Sequence, residues 1–379
     1  MQGCAPELRV EVWPYLLRLD SPSAGREQHA KLRAHFSRSY DALLQRCQEL
    51  EHALEGTTTR ACTGVGVAGQ ADAAQPLASE LALFAEAQRI IVLDAVRTDF
   101  SQSGQRPGAS SDSSAPALKG GKGLGRVAEE ALAAATHMSS ADKHAARRLI
   151  HLLSAYALHD PETGYCQGMS DLAVPMLLTF EDDAMAFWCY ERLMRSMRKN
   201  FRHDESGIKE QLTALARIIE RANPVLFHHL RHINAADCLF AYRMILVQLR
   251  RELPIEQAMT LWEVLWAEDY RHQMDCWTPT HGIGEASAHS LDDRCTWGSS
   301  YHGQPSLFLY FIAALVLRHR RRIIDDCRDQ DDTLRLFNGM QVDLWSTLRL
   351  ARSVRQHCTA DTTVVKSCLA AAKALNGRA

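Results

Sequence analysis

The sequence predicts an all-α protein, built as one large two-lobed domain or as two domains. Three observations predict it. Through most of the chain, apolar side chains recur at steps of three and four, the spacing that lines one face of a helix. Alternating Val-Thr-Ile runs are almost absent, and no Asn-Gly or Asp-Gly hairpin joins two alternating runs. The chain has 379 residues, more than the roughly 250–300 at which a single core stops growing.

The elements follow in order. From Arg26 to Glu55, Leu32, Phe36, Tyr40, Leu43, Cys47, Leu50 and Leu54 fall on one helical face, and Gly56 reads as a stop signal. Arg89 to Leu93 reads either as a short strand or, with Asp94 to Arg97, as a helical turn. Asp142 to Leu158 is a helix in which Asp142 is able to cap, and Asp183 to Met197 is another. Ile208 to Ala222 is ended by Asn223-Pro224, because a residue before proline leaves the helical region. Ala236 to Leu253 reads as one helix, and Pro254 opens the next in a position that suits proline. Ser306 to Asp325 and Asp332 to Arg355 complete the set.

Composition narrows the function. The chain is 46% apolar and 23% charged, which excludes a wholly disordered chain, a collagen or a coiled-coil rod. Lys and Arg number 43 against 45 Asp and Glu, a formal net charge of −2, so no global field draws the chain to nucleic acid or anionic membrane. The longest apolar run, Leu307 to Leu317, has 11 residues, and a membrane span needs about 20. No signal peptide or myristoylation pattern opens the sequence. The 11 cysteines form no Cys-x-x-Cys pair, so free thiols and a cytoplasmic location are expected.

Three stretches interrupt the helical pattern. Residues 56–76 are rich in Gly, Ala and Thr, and 101–125 hold six Ser, six Gly and two Pro. Both read as disordered insertions, because such composition buries too little apolar surface to offset chain entropy. Residues 272–304 form a third loop, which carries Trp277, Trp297 and Tyr301.

Most motif matches fail on context. Gly64-Val-Gly66-Val-Ala-Gly69 fits a dinucleotide-binding pattern, but no strand precedes it. Gly120-Gly121-Lys122-Gly123 lacks the Ser or Thr of a phosphate loop. His228, His229 and His232 lack a metal-site context, so no metal is expected. The Arg318–Arg322 basic run is read as cations complementing a helix C-terminus. No Gly-x-Ser-x-Gly or His-Glu-x-x-His occurs, which disfavours a conventional hydrolase.

Two segments stand apart. Arg89-Ile-Ile91-Val-Leu-Asp94-Ala-Val-Arg97-Thr98 puts Asp94 one turn before Arg97. Gly164-Tyr165-Cys166-Gln167-Gly168-Met169-Ser170-Asp171 sets a Gln between an aromatic and a Gly. Alone, the first is also explained by a surface ion pair and the second by a helix cap.

Together, in this order, they resemble the TBC domain, the catalytic domain of Rab GTPase-activating proteins. Ile91, Asp94 and Arg97 match its Ile-x-x-Asp-x-x-Arg fingerprint, and Tyr165, Gln167, Gly168 and Met169 match its Tyr-x-Gln-Gly-Met. Arg9-Val-Glu-Val-Trp13 looks like its opening, and Phe240-Ala-Tyr-Arg243 with Leu261-Trp262-Glu263 like its later helices. The resemblance spans about residues 5 to 355. It implies an all-α, two-lobed domain with an N-terminal lobe over 5–222, a C-terminal lobe over 223–357 and a tail over 358–379.

The resemblance also implies roles. Arg97 would be an arginine finger and Gln167 a glutamine finger that replaces the GTPase's own water-positioning Gln. Asp94, Tyr165, Gly168 and Met169 would support them, and Arg9, Trp13 and Arg243 would be structural. The partner would be a GTP-bound Rab-family GTPase that carries the GTP and Mg²⁺, so the chain would need no cofactor of its own. Nucleic acid is not an expected partner, and recruitment to endomembranes would be peripheral. Two departures stand out: 70 residues separate the fingers, 45 without residues 101–125, and Phe100 stands where relatives often carry Arg. The rival reading is a non-catalytic Rab-binding adaptor of the same fold.

Overall fold

A computed structural model describes residues 3–63, 74–100, 125–202, 204–274 and 305–359. No strand occurs among them. The chain divides into two compact units, Cys4–Met194 and a second made of Met1–Gly3 with Arg195–Ala379.

The first unit holds α1 (Arg9–Leu16), α2 (Arg26–Thr63), α3 (Ala74–Arg97), α4 (Arg126–Ala134), α5 (Ser140–His159), α6 (Met169–Thr179) and most of α7 (Asp183–Met197). Its centre is α5, which packs against α2, α3 and α6. Leu149, Ile150, Leu152, Leu153, Ala155 and Tyr156 are buried along α5, so apolar groups surround the helix rather than forming one stripe. Helix α3 meets it with Phe84, Ile91, Val92 and Ala95. Against α2, Trp188 stacks on Phe36 with ring centroids 5.2 Å apart, and its indole N–H donates to the Phe36 carbonyl at 3.0 Å.

One buried cation fixes α6, the helix that opens with Gly168-Met169. The Arg148 guanidinium donates to Asp183 at 2.6 Å, to the Leu177 carbonyl at 3.0 Å and to the Phe180 carbonyl at 2.7 Å. Carbonyls in the last turn of a helix have no intrahelical partner, and a cation there also suits the helix dipole. Replacing Arg148 with Met leaves the part-exposed Asp183 carboxylate and both carbonyls without this partner. The expected loss of unfolding free energy is about 1–3 kcal/mol, to be read from urea denaturation.

The second unit holds α8 (Ser206–Ala222), α9 (Pro224–His232), α10 (Tyr242–Leu246), α11 (Ile255–Met274), α12 (Leu307–Arg318), α13 (Arg320–Asp326), α14 (Gln330–Asn338) and α15 (344–359). Every residue from Leu307 to Leu317 is buried, so α12 is the central post of this unit. Ile208, Leu212, Leu215 and Ile219 of α8 join the same core. That packing explains why the units divide at Met194 and Arg195, upstream of the expected 222/223 boundary.

Several expectations need correction. Helix α2 runs through Gly56 to Thr63. An exposed glycine costs a helix interior only about 1 kcal/mol, and Gly56 does not adopt the positive φ of a helix stop. Of the two readings left open for residues 89–93, the helical one holds and the strand does not. Ser139, not Asp142, is the N-cap of α5; Asp142 answers it from the third helical position in a capping box. The helix expected over 236–253 is broken, because Cys238, Gln248 and Leu249 have positive φ. The break is held from outside, where the Trp262 indole donates to the Gln248 carbonyl at 2.9 Å.

The helix expected over 306–325 divides at His319, whose ring hydrogen-bonds the Leu315 carbonyl at 2.8 Å. Arg318 therefore sits at a helix C-terminus as expected, whereas Arg320, Arg321 and Arg322 fall in the first turn of α13. The helix expected over 332–355 is two helices with Gly339–Asp343 between them. By contrast, Asn223-Pro224 both ends α8 and starts α9, with the Asn223 side chain accepting from Leu226 N–H at 2.9 Å. Of the three interrupting stretches, 57–63 and 74–76 are helical, as are 272–274. Residues 64–73, 101–124 and 275–304, with Gly64–Gly69 and Gly120–Gly123 among them, lie outside the described residues, as do 360–379 of the tail.

Seven cysteines among the described residues are free thiols. Burial pushes Cys47 and Cys238 up to about 12, which keeps both as neutral thiols.

Candidate functional site

Two segments of the first unit carry the candidate site. Helix α3 ends on Arg97, and two contacts close that end. The Thr98 backbone N–H donates to the Ala95 carbonyl at 3.3 Å, and its hydroxyl donates to the Asp94 carbonyl at 2.8 Å. Phe100 is buried just beyond and anchors the exit. Arg97 itself is exposed and makes no hydrogen bond or ion pair within the described residues.

The Asp94–Arg97 ion pair, the plain alternative to a finger, does not form among the described residues. The Asp94 carboxylate instead accepts from the Tyr165 hydroxyl at 2.8 Å, across 71 residues of chain. Burial, and then the Asp94 charge, push the Tyr165 phenol far above its ordinary value, so it stays a neutral donor. This bond ties the segment carrying Gln167 to the helix carrying Arg97.

The second segment is a tight loop between α5 and α6. Asp160 organises it. Its carboxylate accepts from the Tyr156 hydroxyl at 3.0 Å and the Thr163 hydroxyl at 2.7 Å, and its carbonyl accepts from Gly164 N–H at 2.8 Å. Gly164 has φ +60° and Gly168 φ +100°, so the loop reverses at two left-handed positions. At Gly168 the reason for glycine is conformational: a β-carbon disfavours that φ. Met169 is fully buried and its sulfur accepts from Cys166 N–H at 3.3 Å.

Gln167 sits at the crest of this loop. It is exposed and has no hydrogen-bond partner within the described residues. It does not cap α6, whose N-cap is Gly168. The site thus pairs a rigid frame with two unengaged polar ends. Asp94, Tyr165, Gly168 and Met169 are committed to the frame; Arg97 and Gln167 are not.

The structural residues lie where the packing needs them. Trp13 is fully buried, edge-on to Phe180 at 6.3 Å, and Arg9 is buried on the same short helix. Arg243 belongs to the second unit, where it pairs with Glu252 at 2.9 Å. Among the described residues no group of His, Cys, Asp and Glu could hold a metal ion. His229 hydrogen-bonds the Cys327 carbonyl at 3.3 Å. Asp160 and Arg148 were not singled out in the sequence. The Asp-Pro-Glu-Thr-Gly turn was a signal for Asp160; nothing local marked Arg148.

Known proteins resemble this chain over both the frame and its surroundings. Residues 130–276 match the Rab-GTPase-TBC domain, a span that includes Tyr165 and Gln167 but begins after Arg97. Rab GTPase-activating protein 22 of Arabidopsis thaliana is 38% identical over 270 residues, which are 70% of this chain and 45% of that protein. The chain carries a domain of the TBC family over residues 130–276.

Within that family, TBC1 domain family member 25 of Homo sapiens is 31% identical over 144 residues, 37% of this chain and 21% of that protein. The chain thus spans less than half the length of these curated relatives. The likeness of fold reaches beyond the matched segment. The crystal structure of the Ypt/Rab-GAP domain of Gyp1p superposes with a TM-score of 0.54 at 13% identity, covering 96% of this chain and 90% of that one. The Chlamydomonas flagellar RabGAP TBC domain superposes with a TM-score of 0.51 at 15% identity, covering 94% and 82%. At such identities the likeness is one of fold.

Proposed function

We propose that this TBC domain is a GTPase-activating protein for a Rab-family small GTPase in its GTP state, acting in vesicle and membrane trafficking. The observation that carries the reading is the contrast within the site. Arg97 and Gln167 are exposed and unengaged among the described residues, while the Tyr165–Asp94 bond joins the segments that bear them. A scaffold or simple adaptor has no need of an arginine and a glutamine held ready in this way.

The chemistry follows from the two side chains. In GTP hydrolysis, water attacks the γ-phosphorus as the bond to the β–γ bridging oxygen breaks, and charge spreads over the phosphoryl oxygens. Arg97, placed against those oxygens, stabilises that charge. The Gln167 carboxamide both donates and accepts, so it can orient the attacking water. GTP and Mg²⁺ belong to the partner, and the TBC domain supplies no cofactor. No helix among the described residues is long and apolar enough to cross a membrane; cytoplasmic location and peripheral recruitment to endomembranes through the GTPase are part of the proposal.

Complex formation with GDP-loaded Rab proteins tests it. Aluminium fluoride beside GDP mimics the transferring phosphoryl group, so a stable complex is expected only when it is present. Binding to GTP-loaded Rab without any aluminium fluoride effect would favour the adaptor.

Tyr165→Phe tests the frame. It removes the bond between the finger segments without touching either finger. Saturated GTP hydrolysis is expected to fall about tenfold while the half-saturating concentration stays nearly constant, because misplacement of catalytic groups costs rate rather than affinity.

A further inference from the structure

The inner and outer faces of α3 differ in an unexpected way. Phe84, Gln88, Ile91, Val92 and Ala95 face the core. The opposite face runs through positions 83, 86, 90, 93 and 97, steps of three and four that form one stripe. An outward stripe is normally polar, yet this one reads Leu83, Glu86, Ile90, Leu93, Arg97. Leu83 is 62% exposed, Leu93 46% and Ile90 38%. Exposed apolar residues scattered singly need no explanation, but aligned ones mark interaction surfaces.

We propose that this stripe is the surface on which the GTP-bound GTPase docks, through an apolar patch beside its nucleotide pocket; this rests on the reading of Arg97 given above. The argument is geometric. Arg97 ends the stripe, and it must reach a nucleotide that the partner encloses, so the partner covers the ground around it. A standard interface covers about 800 Å² on each side, a disc of about 16 Å radius. At a rise of about 1.5 Å per residue, Leu93 lies about 6 Å and Ile90 about 10 Å along the helix from Arg97, with Leu83 at about 21 Å. Leu93 and Ile90 therefore fall inside the footprint, and Leu83 lies beyond it. Their role is affinity and partner choice, whereas Arg97 acts on the rate.

The test separates the two. Leu93→Glu, Ile90→Glu and the milder Leu93→Gln are compared with Leu239→Glu, an exposed leucine of the second unit. Two quantities are read: the Kd for a Rab protein held on a non-hydrolysable GTP analogue, and single-turnover GTP hydrolysis against TBC-domain concentration. Thermal unfolding checks each variant. Raised Kd and half-saturating concentration, by about tenfold or more for the Glu variants, are expected with an unchanged plateau rate and an unaffected Leu239→Glu. An unchanged Kd in folded stripe variants, beside a wild type that binds and stimulates, would overturn the docking surface and leave the proposed activity standing. A wild type that neither binds nor stimulates any Rab protein would overturn both.

Discussion

Arg97→Ala is expected to lower Rab GTP hydrolysis stimulated by this domain by about 10³-fold or more at saturating concentration. Such a factor corresponds to about 4 kcal/mol of transition-state stabilisation. The whole of it should appear in the plateau rate. Arg97 is exposed at the end of α3 and supports nothing in its own fold among the described residues, so thermal stability should not move. Arg97→Lys should rescue little, since an ammonium cannot make the paired, planar contacts of a guanidinium to phosphoryl oxygens. The GTP-state Kd should change only modestly, because the interaction strengthens as charge develops. Single-turnover rates with the domain in excess measure the plateau directly.

Gln167→Ala carries the second-largest expected effect, a loss of about 10²-fold in the plateau rate through misoriented water. A further arm identifies whose glutamine works. If Gln167 does the orienting, substituting the GTPase's own water-positioning Gln with Ala should leave stimulation by the wild-type domain largely intact. Gln167→Ala with that same substituted GTPase should then remove almost all stimulation. Stimulation that depends on the GTPase's glutamine and ignores Gln167 would assign the loop a binding role. Gln167→Glu adds a control, because it keeps the shape and loses the donor.

Both predictions rest on residues that were legible in the sequence, for different reasons. The all-helical fold was legible because steps of three and four among Leu, Ile, Phe and Tyr admit little else over such lengths. Arg97 and Gln167 stood out by motif resemblance, since nothing in their local spacing separates a finger from an ion pair or a cap. The structure removes those two plain alternatives: Asp94 turns to Tyr165 instead of Arg97, and Gly168 instead of Gln167 starts α6. Neither outcome can be read from spacing, because a hydrogen bond across 71 residues depends on how α3 and the α5–α6 loop pack.

The missed features share that cause. Helix breaks at Gln248 and His319 are held by Trp262 and by a backbone carbonyl at the helix end, and neither residue is a recognised stop signal. Nothing in the local sequence marks Arg148, yet it is buried and closes the C-terminal turn of α6. Conversely, Gly56 is a strong stop signal that α2 passes through, because its penalty is small beside the packing of Cys47 and Leu50 upstream. The stripe of Leu83, Ile90 and Leu93 on α3 was not legible in the sequence, because only burial shows that these, and not Ile91 and Val92, face outward.

The central claim is that this domain lends Arg97 and Gln167 to a Rab active site. Single-turnover GTP hydrolysis across a panel of purified Rab proteins, with the wild-type chain, Arg97→Ala and Gln167→Ala, tests it most directly. The account predicts strong acceleration of one or a few Rab proteins, abolished by Arg97→Ala and cut by about 10²-fold by Gln167→Ala. Acceleration that survives Arg97→Ala, or none from a folded wild-type chain across the panel, would contradict it.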